Sequence, residues 1–272
     1  MIEDKQPKPF GISYSKLATF RRCLQQYHWK YIDKNFTRAS IGQSRGSAGH
    51  AALAEWYENH NAASALDAAW KFWEDQGLEQ NEDWIVIEEC LKRYFDWSVE
   101  NDSFELLASE QKFEIFYKDL NVILTGYIDG IIKEDGQVWL LENKFYKAAQ
   151  SSNLELDAQA TMYLLAASLL GKNVSGVVYN IVRVADTKIA KKEPAIRKRL
   201  YRNPEGLARV QEEVVAQVKA MLRYEQEGVP YRSPTKDCHW DCSFYGACLS
   251  MQDDGQEPTE MLSKLCYIRK DE

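Results

Sequence analysis

Apolar and polar residues alternate along this chain with two different periods, and the period changes once. Apolar and aromatic residues recur at helical spacing over 13–33, where Ser13 or Ser15 can cap the first turn, and again over 47–60, 64–77 and 82–102. The pattern then becomes that of strands. Segments 111–118, 121–133 and 137–145 are rich in Ile, Val, Leu and aromatic residues. Ser152 and Glu155 have the spacing of a capping box and open a predicted helix over 154–170. A strand is expected over 174–185 and a long helix over 204–227. From residue 82 onward the order is therefore α-β-β-β-α-β-α. This predicts a single α/β domain over 1–272: a helical section over 1–104, a core over 105–228, a cysteine-rich segment over 229–250 and a tail over 251–272.

The hairpin over 121–145 is the most informative segment. Asp135-Gly136 between two apolar strands specifies a two-residue turn. Counting outward from that turn, Asp129 falls opposite Glu142, and Tyr127 opposite Lys144. Side chains alternate along a strand, so Asp129, Glu142 and Lys144 share one face. Opposed residues have Cβ atoms about 4.5–5.5 Å apart. Two carboxylates that close repel unless a cation lies between them or one holds a proton. The hairpin is apolar on both faces, which buries it, and buried carboxylates need partners. A divalent metal on oxygen ligands meets that need, with Lys144 orienting or polarising a water. An Asp/Glu/Lys ion-pair cluster meets it as well.

Composition and charge narrow the setting. The chain has 272 residues, 45% of them hydrophobic, with a formal net charge of −7. That balance argues against a protein that simply coats nucleic acid. The basic residues nevertheless gather. Arg21, Arg22, Lys30, Lys34, Arg38 and Arg45 face a single acid, Asp33, and eight basic residues fall between Arg183 and Arg202. Such stretches suit a local phosphate track or an ordinary solvated surface. No apolar run has the length of a membrane span, and the first residues lack a signal-peptide pattern, so a cytoplasmic location is expected. There, six cysteines favour metal ligation or buried thiols over disulfides. Cys238, Cys242 and Cys248 cluster as C-x3-C-x5-C; Cys90 reads as a buried thiol, and Cys266, in a polar tail, is given no role.

Asp129 followed by Glu142-Asn143-Lys144 resembles the motif of the PD-(D/E)xK nuclease superfamily, whose helix, three strands, helix and strand have the order read above. Three further segments resemble its RecB-like branch, which includes CRISPR-associated and phage-encoded exonucleases. They are Gly46-Ser47-Ala48-Gly49-His50, Gln159-Ala160-Thr161-Met162-Tyr163 in the place of a QxxxY motif, and Cys23 followed far downstream by three clustered cysteines. The resemblance implies a restriction-endonuclease-like αβββαβ core with a mixed sheet. It implies a Mg2+- or Mn2+-dependent DNA exonuclease acting on single strands or DNA ends in repair, recombination or phage DNA metabolism. His50, Asp129, Glu142 and the Asn143 carbonyl would bind the metal, with Lys144, Gln159 and Tyr163 completing the catalytic set. Cys23, Cys238, Cys242 and Cys248 would bind a [4Fe-4S] cluster, and a recombination protein or helicase is a candidate partner besides DNA.

Other readings of the same residues stay open. His50 alone fits a packed or surface histidine, and Gln159 with Tyr163 fits an ordinary helix surface. Four cysteines suit zinc, although such sites usually assemble from two close pairs, which Cys23 does not supply. A nuclease-like fold can also bind DNA without cutting it. Electron transfer through an iron–sulfur centre has no flavin or nicotinamide signature here to support it.

Overall fold

The structure, a computed structural model, describes residues 8–146, 154–184, 193–253 and 258–267. In chain order the first half carries β1 (Phe10–Ser13), α1 (Tyr14–Arg22), α2 (Leu24–Tyr27), a π-helical turn (His28–Ile32), β2 (Phe36–Thr37), α3 (Ile41–Asn59), α4 (Ala62–Asp75) and α5 (Glu82–Asn101). Then come β3 (Glu105–Tyr117), β4 (Val122–Glu134), β5 (Gln137–Tyr146), α6 (Ala158–Leu169), β6 (Val177–Arg183), β7 (Ala195–Leu200) and α7 (Pro204–Glu227). The chain closes with α8 (Cys238–Asp241), α9 (Tyr245–Asp253), α10 (Pro258–Leu265) and β8 (Cys266–Tyr267). These residues divide into two compact units, 40–116 with 125–211, and 1–39 with 117–124 and 212–272.

The first unit follows the expected αβββαβ order from α5 to β6, with β7 added. Its strands lie in the order β4-β5-β6-β7, with β3 also on β4. Asp135 and Gly136 both have positive φ, 51° and 76°, as the predicted tight turn requires. They set the β4–β5 register at Glu134↔Gln137 through Gly130↔Leu141. Because α6 carries the chain over the sheet, β6 returns parallel to β5, pairing Leu140↔Val177 through Tyr146↔Arg183. One face of the sheet, Ile132, Trp139, Leu141, Val178 and Val182, is buried against Trp56, Tyr57, Trp84, Leu91, Tyr94 and Phe95 of α3 and α5.

Two sequence expectations are corrected here. Helix α3 starts at Ile41 rather than near 47, behind the N-cap Ser40 and a capping box in which Ser40 and Gln43 exchange side-chain and backbone hydrogen bonds. Gly42, Gln43 and Gly46 hide that first part from a search for apolar periodicity. The helix expected over 154–170 begins as a short turn (Leu154–Leu156), and α6 is capped by Asp157, which accepts from the Gln159 N–H. The Ser152 of the predicted cap lies outside the described residues. Strand β7 is hidden because three of its six residues, Arg197 to Arg199, mask the apolar Ala195, Ile196 and Leu200 with charge.

In the second unit the helix expected over 13–33 breaks at Cys23, whose extended backbone (φ −162°, ψ 118°) ends α1 and opens α2. Ser13 caps α1 by accepting from the Lys16 N–H. Trp29 packs with Phe244, Ala247 and Leu262, and Cys242, Cys248 and Cys266 lie against that group. Cys266 is therefore not in a loose polar tail: β8 pairs with β2 through Thr37↔Cys266. No helix among the described residues is long and apolar enough to cross a membrane.

Candidate active site

The regular β4–β5 ladder stops at Gly130↔Leu141, one pair short of Asp129 and Glu142. Beyond it the Asn143 N–H donates to Asp129 Oδ2 at 2.6 Å, so a side-chain carboxylate takes the place of a ladder carbonyl. The same oxygen lies 3.3 Å from His50 Nδ1. His50 reaches this position because α3 packs close to β5: a Cβ at Gly49 would sit 2.2 Å from the Phe145 ring. Burial pulls the His50 imidazole down, while its hydrogen bond to Asp129 and the charges of Asp129 and Glu142 pull it up, with a net rise.

Glu110 of β3 is a member that the sequence reading missed. One ligand atom from each of His50, Glu110 and Asp129 lies within 4.8 Å of the others, the only such group of three among the described residues. Glu110 has φ 45°, left-handed backbone inside a strand. Such a conformation costs a non-glycine residue on the order of 1–3 kcal/mol and gathers at functional sites. Burial, and then the Asp129 charge, push its carboxyl up. Nothing in the sequence separates Glu110 from Glu105 and Glu114 of the same strand, and the predicted strand began only at 111.

Glu142 and Lys144 form the other side. Glu142 is 2% exposed. Its Oε1 accepts from Lys144 Nζ at 2.6 Å, and its buried Oε2 has no hydrogen-bond partner. Burial, with the Asp129 charge, raises its carboxyl to about 7 against the pull of Lys144. Burial lowers Lys144, but Glu142 outweighs it and the ammonium is held charged. Lys144 Nζ also donates to Gln159 Oε1 at 2.9 Å, and Gln159 Nε2 donates to the Tyr163 hydroxyl at 2.8 Å. Burial raises the Tyr163 phenol to about 12. His50, Asp129, Glu142, Lys144, Gln159 and Tyr163 thus meet around the Asn143 backbone, joined by Glu110.

In the second unit, Cys23, Cys238, Cys242 and Cys248 line one cavity of about 250 Å³ with Arg22, Trp29, Arg232 and Phe244. Arg22 donates to Asp241 Oδ2 at 2.6 Å, and the Gln25 N–H donates to the Tyr231 carbonyl at 3.0 Å, which tie the early helices to the cysteine segment. The Thr235 N–H, 3.3 Å from Cys238 Sγ, lowers that thiol. Burial raises Cys242, and it raises Cys248 to about 11. Cys90 stands apart, buried, with Sγ donating to the Arg183 carbonyl.

Among the described residues, four arginines of the basic stretch from Arg183 to Arg202 are engaged within the fold. Arg197 pairs with Asp102 and Arg199 with Glu134, Arg202 donates to the Glu155 carbonyl, and Arg183 donates to the Glu193 carbonyl at 3.2 Å. Lys188, Lys191 and Lys192 lie outside the described residues.

An αβββαβ core bearing carboxylates and a lysine where β4 and β5 leave their ladder defines a nuclease of restriction-endonuclease type. The sequence model of the PD-(D/E)XK nuclease superfamily matches residues 11–249, and the chain belongs to that superfamily. It is accordingly a hydrolase whose substrate is DNA, from a family that typically uses divalent metals. The crystal structure of a candidate exonuclease from Eubacterium rectale matches with a TM-score of 0.51 at 14% identity, covering 85% of this chain and 87% of that one, a likeness of fold. A second solved structure, of SSO0001, gives a TM-score of 0.36 at 13% identity over 78% of this chain and 77% of that one. No curated protein matches the sequence significantly.

Proposed function

We propose that the protein is a Mg2+- or Mn2+-dependent DNA exonuclease of the RecB-like branch, acting on single strands or DNA ends. His50, Asp129, Glu142 and the Asn143 carbonyl would hold the metal, with Glu110 as an added ligand. The buried, unpartnered Glu142 Oε2 carries this reading. Lys144 reaches only Oε1, and a carboxylate oxygen withdrawn from water beside the Asp129 charge is costly unless a proton or a metal cation meets it. Carboxylate and carbonyl ligands with one imidazole suit Mg2+ or Mn2+. When bound, such a cation neutralises the scissile phosphate and makes water nucleophilic at neutral pH. Lys144, kept charged and steered by Glu142 and Gln159, orients the attacking water or the phosphate; Tyr163 fixes the amide of Gln159. Repair, recombination or phage DNA metabolism, with a recombination protein or helicase as partner, belongs to the same proposal. The test uses end-labelled linear and covalently closed circular single strands. Linear DNA should be degraded only with Mn2+ or Mg2+, circles should survive, and Asp129→Ala, Glu142→Ala and Lys144→Ala should each lose at least about 100-fold. Cut circles would contradict exonuclease action, and metal-independent or absent cleavage would contradict the metal centre.

For the four cysteines we infer a [4Fe-4S] cluster acting as a structural clasp. A tetrahedral zinc site with bonds of about 2.3 Å brings its sulfurs to about 3.8 Å from one another. Among the described residues no three of these sulfurs lie within 4.8 Å of each other. Their cavity of about 250 Å³ is many times the ~10–15 Å³ that one water needs by the same kind of measure. Anaerobically purified protein should contain iron and acid-labile sulfide; zinc alone would overturn the cluster.

A further inference from the structure

Behind the metal site, on the other face of β5, lies a buried polar network that the chemistry above does not use. Glu142 and Lys144 bond to each other on the site side, so Asn143 between them projects its side chain the opposite way. There it stands beside Asn180, its register partner on β6. Asn180 is 0% exposed. Its Nδ2 lies 2.9 Å from Asn143 Oδ1, 3.0 Å from the Tyr57 hydroxyl and 3.0 Å from the Tyr94 hydroxyl. Tyr57 also donates to Asn143 Oδ1 at 3.3 Å and lies 2.7 Å from the Tyr94 hydroxyl. Arg197, paired with Asp102, reaches Tyr94 at 3.4 Å and ties the network to the end of α5.

We propose that Asn180, Tyr57 and Tyr94 are positioning residues that set the geometry of the metal site by gripping Asn143 from behind. This rests on the metal reading above. Amides and phenols surrounded by a core of aromatic and aliphatic groups are costly unless satisfied, and apolar side chains would fill the same space more cheaply. What hydrogen bonds add is direction. They fix β5 against β6 at Asn143, and they fix α3 through Tyr57, seven residues and so about two turns beyond His50. Asn143 is also the residue whose N–H orients Asp129, the carboxylate shared with His50 and Glu110. One side chain therefore couples the position of β5 to both a histidine and an aspartate ligand.

The test is Mn2+ titration of the full-length protein by electron paramagnetic resonance. Asn180→Leu, which keeps the branched shape of the side chain and removes the donor, should weaken Mn2+ binding by about 10–100-fold, as loss of supporting hydrogen bonds does at metal sites. The Mn2+ concentration for half-maximal cleavage should rise by the same factor, with activity recovering at high Mn2+ and DNA affinity in chelator unchanged. Tyr94→Phe removes one hydroxyl at no cost in volume and should shift binding in the same direction; it decides the matter if Asn180→Leu does not fold. Ile132→Val, a core change outside the network, should lower the melting temperature and leave Mn2+ affinity unchanged. Folded Asn180→Leu or Tyr94→Phe with wild-type Mn2+ affinity would overturn the inference. A wild-type protein that binds no Mn2+ would instead overturn the metal site and this inference with it.

Discussion

Glu142 is held up at about 7 from an ordinary 4.5 by burial first and the neighbouring Asp129 charge second. A raised folded value stabilises while the carboxyl keeps its proton. The contribution is complete below about 4.5 and is lost as pH rises through about 7. Metal-free protein should therefore lose stability over that window, and Mn2+ should bind more tightly as the proton leaves. His50, also raised, acts with the same sign, so the informative comparison is with Glu142→Gln, which cannot ionise. Melting temperatures in chelator should fall more steeply with pH for wild type than for Glu142→Gln; parallel curves would contradict the assignment. At this scale Asp129, Glu142 and Lys144 were legible because one tight turn fixes a register and strands alternate. Glu110 was not, since its role depends on a left-handed backbone that composition does not encode. Asn180 was not either, because its partner is chosen by the register of a parallel strand beyond a crossover helix.

Among the elements, α3 shows how much a small residue decides. The stretch Gly46 to His50 drew notice through its histidine, yet Gly49 is what brings the helix onto Phe145 and so brings His50 to Asp129. Gly49→Ala should cost about 1–3 kcal/mol as an overpacking change. It should also weaken Mn2+ binding, because the helix carrying His50 moves outward. Chemical denaturation and metal titration together check this: a stable variant with wild-type affinity would show that Phe145 simply turns aside. The chain order of strands β3 to β6, with helix α6 between β5 and β6, was readable from periodicity. Strand β7 was not, because Arg197 and Arg199, which read as a phosphate track or a solvated surface, are committed to Asp102 and Glu134.

For the whole molecule the nuclease superfamily follows from the joint order of motifs between Cys23 and Cys248, none of which is decisive alone, and the family match covers residues 11–249. The cysteines act at the same scale. Cys23 precedes its proposed partners by more than two hundred residues, so a cluster joining them closes a loop around most of the chain. Cross-linking a loop of that length is worth about 4–5 kcal/mol by analogy with disulfides. Replacing any one of Cys23, Cys238, Cys242 or Cys248 with Ala should remove brown colour and lower the melting temperature sharply. Cys90→Ala should keep the colour, as should Cys266→Ala although Cys266 packs on the same buried cluster as Cys242 and Cys248. Colour that survives Cys23→Ala would detach the early helix from the cluster. Everything proposed for this protein's chemistry depends on a divalent-metal centre at the ends of β4 and β5. Anomalous diffraction at the manganese edge from crystals grown with Mn2+ tests it most directly. A peak within bonding distance of His50, Asp129 and a Glu142 or Glu110 carboxylate oxygen is the expected result; a manganese-free site in crystals of protein that cleaves DNA would contradict it.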